Sequence, residues 1–225
     1  MDSTNTTQDS WRVIVNPNSG NEKGSKDWPL IAEILRSKGL HFNEVFTSCP
    51  GDGIEIARKL YLSGERKFLV VGGDGTLNEV ANGILNAAKG PVCEATLGII
   101  PVGTGNDWCR THKIPNDYEK AADILIKGKT ICQDAGMAIF HTENALKERY
   151  FVNIAGTGYD GLVAHKTNKD MMLGQNGTLV YLKNLFTSLL AFRSVPVKIQ
   201  LDDQAEEELT LFSISTESAS ITEEE

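Results

Sequence analysis

Three short loops hold the residues whose types and spacing can do chemistry. They read Asn16-Pro17-Asn18-Ser19-Gly20, Gly72-Gly73-Asp74-Gly75-Thr76 and Gly103-Thr104-Gly105-Asn106-Asp107, and each follows a short apolar run. Glycine lets the backbone take positive φ and turn successive N–H groups toward one point. A helix N-terminus behind such a turn adds partial positive charge, so phosphate can be held without a lysine. One glycine loop after a strand is most simply a tight turn. Three of them, each with Asn, Ser, Thr or Asp beside the glycines, imply a shared phosphate-binding edge. Asp74 sharpens this reading, because a carboxylate among phosphate-facing amides repels the ligand unless it holds a magnesium ion, orients the loop or takes a proton. The plainer alternative is an Asp that hydrogen-bonds its own turn. Each functional role fits nucleotide phosphoryl transfer, in which positioning and charge neutralisation supply most of the catalysis.

Other nucleotide motifs fit poorly. Gly73-x-Gly75-x-x-Asn78 lacks the third glycine of the dinucleotide fingerprint. Gly128-Lys129-Thr130 looks like the end of a Walker loop, but Asp123 stands where its first glycine belongs and a helical segment precedes it. The cysteines at 49, 93, 109 and 132 form no CxxC pair, and the histidines at 41, 112, 141 and 165 are scattered. A resident zinc site is therefore not expected, and the thiols read as the reduced cysteines of a cytosolic protein.

The elements that position these loops alternate in type. Strands are predicted at Trp11–Val15, His41–Thr47, Lys67–Val71 and Thr96–Ile100, and helices at about Lys26–Lys38, Ile54–Ser63, Thr76–Lys89 and Tyr118–Lys127. That alternation implies a parallel α/β sheet, with ligands beyond the carboxyl ends of its strands. After Cys132 the pattern becomes strand-like. Arg149–Ala155 reads as a strand followed by a glycine turn at Gly156–Gly161, and Val195–Leu201 and Glu208–Ser213 alternate like antiparallel strands. One amphipathic stretch, Leu179–Phe192, carries Leu182, Leu185, Phe186, Leu189 and Leu190 at helical spacing. Its apolar face is expected to pack on the second domain's sheet, with a membrane surface as the alternative. The divisions expected are a polar tail at 1–10, an α/β nucleotide-binding domain at 11–130, a partial β-rich second domain at 131–215 and an acidic tail at 216–225.

Composition excludes several classes. The 225 residues are 40% hydrophobic and 23% charged, as in globular proteins. No window approaches the ~18 apolar residues of a membrane span, and Met1–Ser10 lacks the apolar core of a secretory signal. The net charge of −8 is concentrated at the end, where nine acidic residues and no Lys or Arg follow Gln200, leaving the first 199 residues at +1. Nucleic acid is not an expected partner of so neutral a body.

VIVNPNSG (Val13–Gly20), VVGGDGTLNEVANGI (Val70–Ile84) and LGIIPVGTGNDWCR (Leu97–Arg110) resemble the diacylglycerol kinase catalytic-domain family. The likeness is to its bacterial lipid-kinase branch, with sphingosine kinases as more distant relatives. The resemblance implies a Rossmann-like first domain of the NAD kinase and phosphofructokinase type, followed by a β-rich, truncated second domain. It implies ATP as donor, Mg2+, and a lipid hydroxyl, most simply that of diacylglycerol, as acceptor in phospholipid biosynthesis. Carried over by motif, Asn16, Pro17, Asn18, Ser19, Gly20, Gly72, Gly73, Asp74, Gly75, Thr76, Leu77 and Asn78 would line the nucleotide. Gly103, Thr104, Gly105 and Asn106 would join them, as would Thr47 at the end of the second strand. Asp107 and the Asp160 of Gly156-Thr157-Gly158-Tyr159-Asp160 would belong to the acceptor side and second-domain motif. The active site would lie in the cleft between the domains.

Asp74 is the expected catalytic residue, although in the bacterial branch an acidic group in a later segment is assigned as base. The resemblance assigns no metal ligands here and leaves oligomeric state open. A cytoplasmic protein is expected, with peripheral attachment to the inner membrane face left open. The NAD kinase reading shares the GGDGT core and stays as an alternative, as does a nucleotide-binding fragment without transfer activity.

Relatives run to about 300 residues by that resemblance, whereas this chain ends at Glu225. Its last ten residues are open to a genetic reading. With suitable codons for Thr216–Glu225, restoring one T changes the translation to IGICKYNGGG, which resembles the glycine-rich segment the family carries there. An out-of-frame, poorly ordered end is the expectation, and a genuine acidic tail is the alternative.

Overall fold

Apolar strands that alternate side chains between two faces, joined by helices long enough to cross over, dictate a covered parallel sheet. The computed structural model describes residues 10–88, 90, 94–143, 145–172, 178–218 and 220–221. Its first elements are β1 (Trp11–Val15), α1 (Ser19–Ser37), β2 (Phe42–Phe46), α2 (Asp52–Leu62), β3 (Lys67–Gly72), α3 (Asp74–Ala88) and β4 (Thr96–Pro101). The four strands pair in parallel in the order β2-β1-β3-β4. Chain order therefore reverses between β1 and β3, and the loops leaving these two strands part to opposite sides of a crevice.

Both faces of the sheet are covered. Val13, Val15, Leu69, Val71 and Ile100 bury against Trp28, Ile31 and Leu35 of α1 and Ala121 and Ala122 of α5 (Tyr118–Lys127), which follows the short α4 (Asp107–Thr111). On the opposite face Ile14, Phe68, Val70 and Ile99 meet Ala57 of α2 and Leu77, Val80 and Ile84 of α3. The Glu79 carboxylate binds α3 to the start of α2, accepting from the Gly51 and Gly53 N–H groups at 2.9 and 3.1 Å. Helix α1 begins earlier than predicted, and Gly20, Asn21 and Glu22 interrupt its first turn with φ of +63°, +60° and +68°.

Beyond α5 come β5 (Cys132–Gln133) and an antiparallel hairpin of β6 (Gly136–His141) and β7 (Leu146–Phe151). Buried Asn82 in α3 holds that hairpin, donating to the Tyr150 carbonyl at 2.8 Å and accepting its N–H at 2.9 Å. The first compact unit closes at Asn153 and regains the chain at Ser218; residues 154–217 form a second unit.

The second unit contains β8 (Ile154–Gly158), α6 (Tyr159–Met172), α7 (Thr178–Ala191), β9 (Val195–Ile199), β10 (Glu207–Leu211) and β11 (Ser213–Glu217). β9 pairs antiparallel with β10, and β8 with β11. Two expectations need correction here. The predicted strand Arg149–Ala155 is divided at Val152–Asn153, and the predicted glycine turn is the end of β8 followed by a helix. Tyr159 is anchored at that helix start. Its ring stacks on Phe212 at 4.9 Å, and its hydroxyl donates to the Leu185 carbonyl at 2.8 Å.

Helix α7 matches the amphipathic stretch, but it turns its polar side inward. Asn184 and Ser188 are buried, whereas Leu179, Leu182, Phe186, Leu189 and Leu190 are exposed. The expected packing of this apolar face on a sheet is absent among the described residues, because the unit's sheets are two-stranded ribbons. Thr216 and Glu217 finish β11, and β12 (Ser220–Ile221) pairs with β5 in the first unit. The acidic segment thus carries ladder pairs as far as Ile221, and its remaining positions, 219 and 222–225, lie outside the described residues.

Candidate nucleotide site

The three glycine loops meet at the carboxyl edge of the sheet, and Gly73 marks their meeting point. A Cβ placed there would stand 3.0 Å from the Gly103 Cα, 3.6 Å from Asn106 Oδ1 and 3.7 Å from Ser19 Oγ. The reverse test is tighter, since a Cβ on Gly103 would lie 2.6 Å from the Gly73 Cα. Only residues without side chains let the second and third loops touch backbone to backbone. Gly20, at φ +63°, brings the first loop against the Val102 carbonyl, a place that a side chain would fill.

Hydrogen bonds fix the loops. Asn16 Nδ2 donates to Thr76 Oγ1 at 2.9 Å, joining the first loop to the start of α3, while Asn16 Oδ1 accepts from the Asn18 N–H at 3.0 Å. The Val102 and Gly103 N–H groups both donate to the Gly72 carbonyl, at 2.9 and 3.3 Å. Helix α3 begins at Asp74, directly behind the second loop, so its first amides and dipole face the crevice.

Asp74 does not bond its own turn. Its Oδ2 accepts from the Asp107 N–H and its Oδ1 from the Trp108 N–H, both at 3.0 Å. The carboxylate thus holds the beginning of α4 and sets the third loop against the second. Asn106 is buried in the left-handed conformation at φ +54°, and its Nδ2 donates to the Gly103 carbonyl at 2.9 Å and to Asn116 Oδ1 at 3.2 Å. Its Oδ1 is buried without a protein partner. Arg110 ion-pairs with Asp107 and donates to the Gly105 carbonyl. Behind the loop, burial first and the Asp74 charge second push the Cys109 thiol up to about 12, which leaves it a packing group.

Asp74 and Asp107 are the carboxylates of this edge that could hold a cation, although both Asp74 oxygens already accept backbone amides. A point one Cβ above Gly105 lies 3.2 Å from Asp74 Oδ2 and 4.0 Å from Asp107 Oδ2, so two carboxylates approach each other beside the third loop. No group of three or more His, Cys, Asp or Glu residues suited to a metal occurs among the described residues. Magnesium bound through substrate phosphates needs only one or two carboxylates.

Not every expected residue reaches this edge with its side chain. Leu77 is packed in the core, and its N–H donates to the Gly73 carbonyl at 3.0 Å. Thr47 is buried at the end of β2, where its N–H donates to the Val15 carbonyl at 2.9 Å. Thr104 and Gly105 are exposed on the third loop. Asp160 belongs to the second unit, where it accepts from Ser213 Oγ at 2.6 Å.

Several supporting residues were given no role by the motif reading. Gly24 lets α1 press on the Asn16 carbonyl, and a Cβ there would also stand 3.1 Å from the Pro17 Cα. Trp108 Nε1 donates to Gln133 Oε1 at 2.9 Å, while its ring lies 4.2 Å from that of His112. Burial pulls the His112 pKa below its usual value, against an opposing hydrogen bond with Gln133. Asn82 left a readable signal, being polar among the apolar-periodic positions Leu77, Val80, Ala81 and Ile84. Gly24 and Gln133 left none.

Residues 10–138 match the family described as the diacylglycerol kinase catalytic domain, a span that contains all three loops. The chain is 35% identical over 212 residues to a diacylglycerol kinase of Bacillus subtilis strain 168, covering 91% of this chain and 64% of that protein. It is 31% identical over 202 residues to a diacylglycerol kinase of Staphylococcus carnosus, covering 89% of this chain and 62% of the relative. A crystal structure of a diacylglycerol kinase from Bacillus anthracis str. Sterne superposes with a TM-score of 0.63 at 25% identity, covering 94% of this chain and 64% of that one. The chain therefore spans slightly less than two thirds of the length of these relatives.

Proposed function

This chain belongs to the diacylglycerol kinase catalytic-domain family, and from that premise we propose that it is the nucleotide-binding part of an ATP-dependent lipid kinase. The reaction is transfer of the γ-phosphoryl group to a lipid hydroxyl, most simply that of diacylglycerol. The observation that carries the reading is the meeting of three glycine loops around Gly73, with the first turn of α3 directly behind. Such an edge offers several N–H groups and a positive helix end to one polyphosphate.

In this reading Asn16–Gly20, Gly72–Asn78 and the Gly103–Asn106 backbone hold ATP, with Leu77 acting through its backbone position. Asp74 and Asp107 are the carboxylates that would hold Mg2+ with the phosphates, and magnesium would neutralise charge as the phosphoryl group leaves ATP. Asp74 also orients the third loop through two amides, so its metal-linked and positioning roles are joined. The acceptor is a lipid presented at a membrane surface, and no helix among the described residues is long and apolar enough to cross a membrane.

The test is transfer of labelled phosphate from ATP to diacylglycerol in mixed vesicles, with NAD offered as a competing acceptor and ATP binding measured calorimetrically. Labelled phosphatidate with unlabelled NAD is the expected result. Label on NAD would overturn the acceptor class, and failure to bind ATP would overturn the site. Because the chain covers 64% of the Bacillus subtilis relative, a second reading remains specific: ATP binds and no acceptor is phosphorylated.

A further inference from the structure

The second unit is attached to the first by two chain crossings, Asn153 to Ile154 and Glu217 to Ser218. They leave as one ribbon. Ile154 and Glu217 are the first pair of the β8–β11 ladder, and immediately before it the Ser218 N–H donates to the Asn153 carbonyl at 2.9 Å. Ser218 Oγ lies 3.3 Å from the same carbonyl. The crossings are thus clasped together on the first unit's side.

Gln133 reaches this clasp. Its Nε2 donates to the Val152 carbonyl at 2.5 Å and to Ser218 Oγ at 3.5 Å. Its Oε1 accepts from Trp108 Nε1 at 2.9 Å. Trp108 stands in α4, and its own backbone N–H is one of the two held by Asp74. One side-chain amide therefore uses its acceptor on the third glycine loop's helix and its donors on both crossings. A leucine of similar volume at 133 would fill the space and make none of these bonds.

We propose that Gln133 is a positioning residue that couples the third glycine loop to the two crossings, so that nucleotide bound at the loops tightens the clasp. The inference rests on the nucleotide-site reading above. Nucleotide that orders the third loop fixes α4 through Asp74, α4 carries Trp108, and Gln133 passes that restraint to the Val152 carbonyl and Ser218. Energetically this is a coupling between the ligand site and a local opening equilibrium.

The experiment uses the full chain with a non-hydrolysable ATP analogue and Mg2+, comparing wild type with Q133L, Q133E and W108F. Hydrogen exchange at the Ser218 N–H is read with and without nucleotide, and calorimetry reports binding independently. In wild type, nucleotide should slow Ser218 exchange by at least about fivefold, the lower end of coupling between sites. In Q133L and W108F that ratio should fall to one while nucleotide still binds. Q133E keeps the acceptor for Trp108 and removes the donors, so the Trp108 indole N–H resonance should stay near its wild-type position while the Ser218 ratio is lost.

A merely structural Gln133 would raise Ser218 exchange equally with and without nucleotide, leaving the ratio unchanged, and that result overturns the coupling. W108F removes the indole donor and leaves Gln133, Val152 and Ser218 themselves unchanged, so it decides the matter if Q133L does not fold. Nucleotide binding without any protection of Ser218 in wild type overturns the coupling alone, whereas no nucleotide binding overturns the site and the coupling together.

Discussion

Replacing Asp74 by Asn tests whether this carboxylate holds the site together as well as serving its chemistry. In the wild type each carboxylate oxygen accepts one backbone N–H, from Asp107 and Trp108, at 3.0 Å. Asparagine keeps a single acceptor and presents an NH2 group to the other amide. A hydrogen bond to a charged group is worth about 1.5–3 kcal/mol net, and an amide facing a donor loses that bond outright. The Asp107 end is exposed, so water recovers part of the loss, and about 1.5–2 kcal/mol is expected for D74N. At about 2–4 °C per kcal/mol for a chain of this size, Tm should fall by roughly 3–8 °C. D74A, with no acceptor, should lose about twice as much. The assays are a thermal melt and hydrogen exchange at the Asp107 and Trp108 amides, both without nucleotide. The Cys109 thiol gives a further readout, since its pKa should drop only partly because burial is the larger cause of its rise. An unchanged melt with unchanged exchange at both amides would refute the positioning role and leave Asp74 with the proposed metal role alone. Lost transfer in D74N is therefore not by itself proof of a catalytic carboxylate.

Glycine substitutions should separate ligand space from protein space. Gly75 is exposed in the first turn of α3 and a Cβ there meets nothing within 4 Å, so G75A should gain about 0.5–1 kcal/mol of helix stability while ATP affinity measured by calorimetry falls. G103A should lose both stability and binding, because its Cβ would stand 2.6 Å from the Gly73 Cα and 2.7 Å from Asn106 Oδ1. N82L should cost about 2–6 kcal/mol in urea denaturation, since it strands the half-buried N–H and C=O of Tyr150 at about 1–3 kcal/mol each. His112 sets an acid-side slope. Its folded pKa lies below its usual value because burial disfavours the imidazolium, so the unfolded chain takes the proton first as pH falls through about 6.5. The stability held above that pH should decline toward the lower folded pKa, and urea midpoints at neutral and mildly acidic pH should differ less in H112Q than in wild type.

The sheet was legible because its signal is local and doubled. Val13-Ile14-Val15 and Phe68-Leu69-Val70-Val71 are apolar on both faces, which only a strand covered on both sides requires, and the helices between them leave parallel pairing as the short route. The loops were legible for a similar reason, since glycine clusters after such strands constrain the backbone wherever the chain later goes. The partners of Asp74 were hidden, because Asp107 and Trp108 are 33 and 34 residues away and nothing in either segment specifies the other. Gln133 was hidden more completely. A lone glutamine at the end of a two-residue strand has no period to join, and its role exists only where three distant pieces of backbone meet.

Helix α7 shows where periodicity stops informing. The spacing of Leu182, Leu185, Phe186, Leu189 and Leu190 specifies which residues share a side of a helix, and the helix forms as predicted. It does not specify what that side meets. Packing on a sheet requires a sheet broad enough to cover about two turns of apolar side chains, and three or more strands with a hydrophobic face are the usual minimum. Each ladder in the second unit has two strands. The contact available to α7 is α6, and there Asn184 Nδ2 donates to Asp170 at 2.9 Å while Tyr159 donates to the Leu185 carbonyl at 2.8 Å. Specific polar bonds to α6 thus accompany the rotation that the helix takes, and Leu179 and Leu190 are left 81% and 89% exposed. The first unit, with two apolar faces on one four-stranded sheet, offers its helices no such choice. The three glycine loops accordingly stand on the part of the chain whose sequence pattern and burial agree.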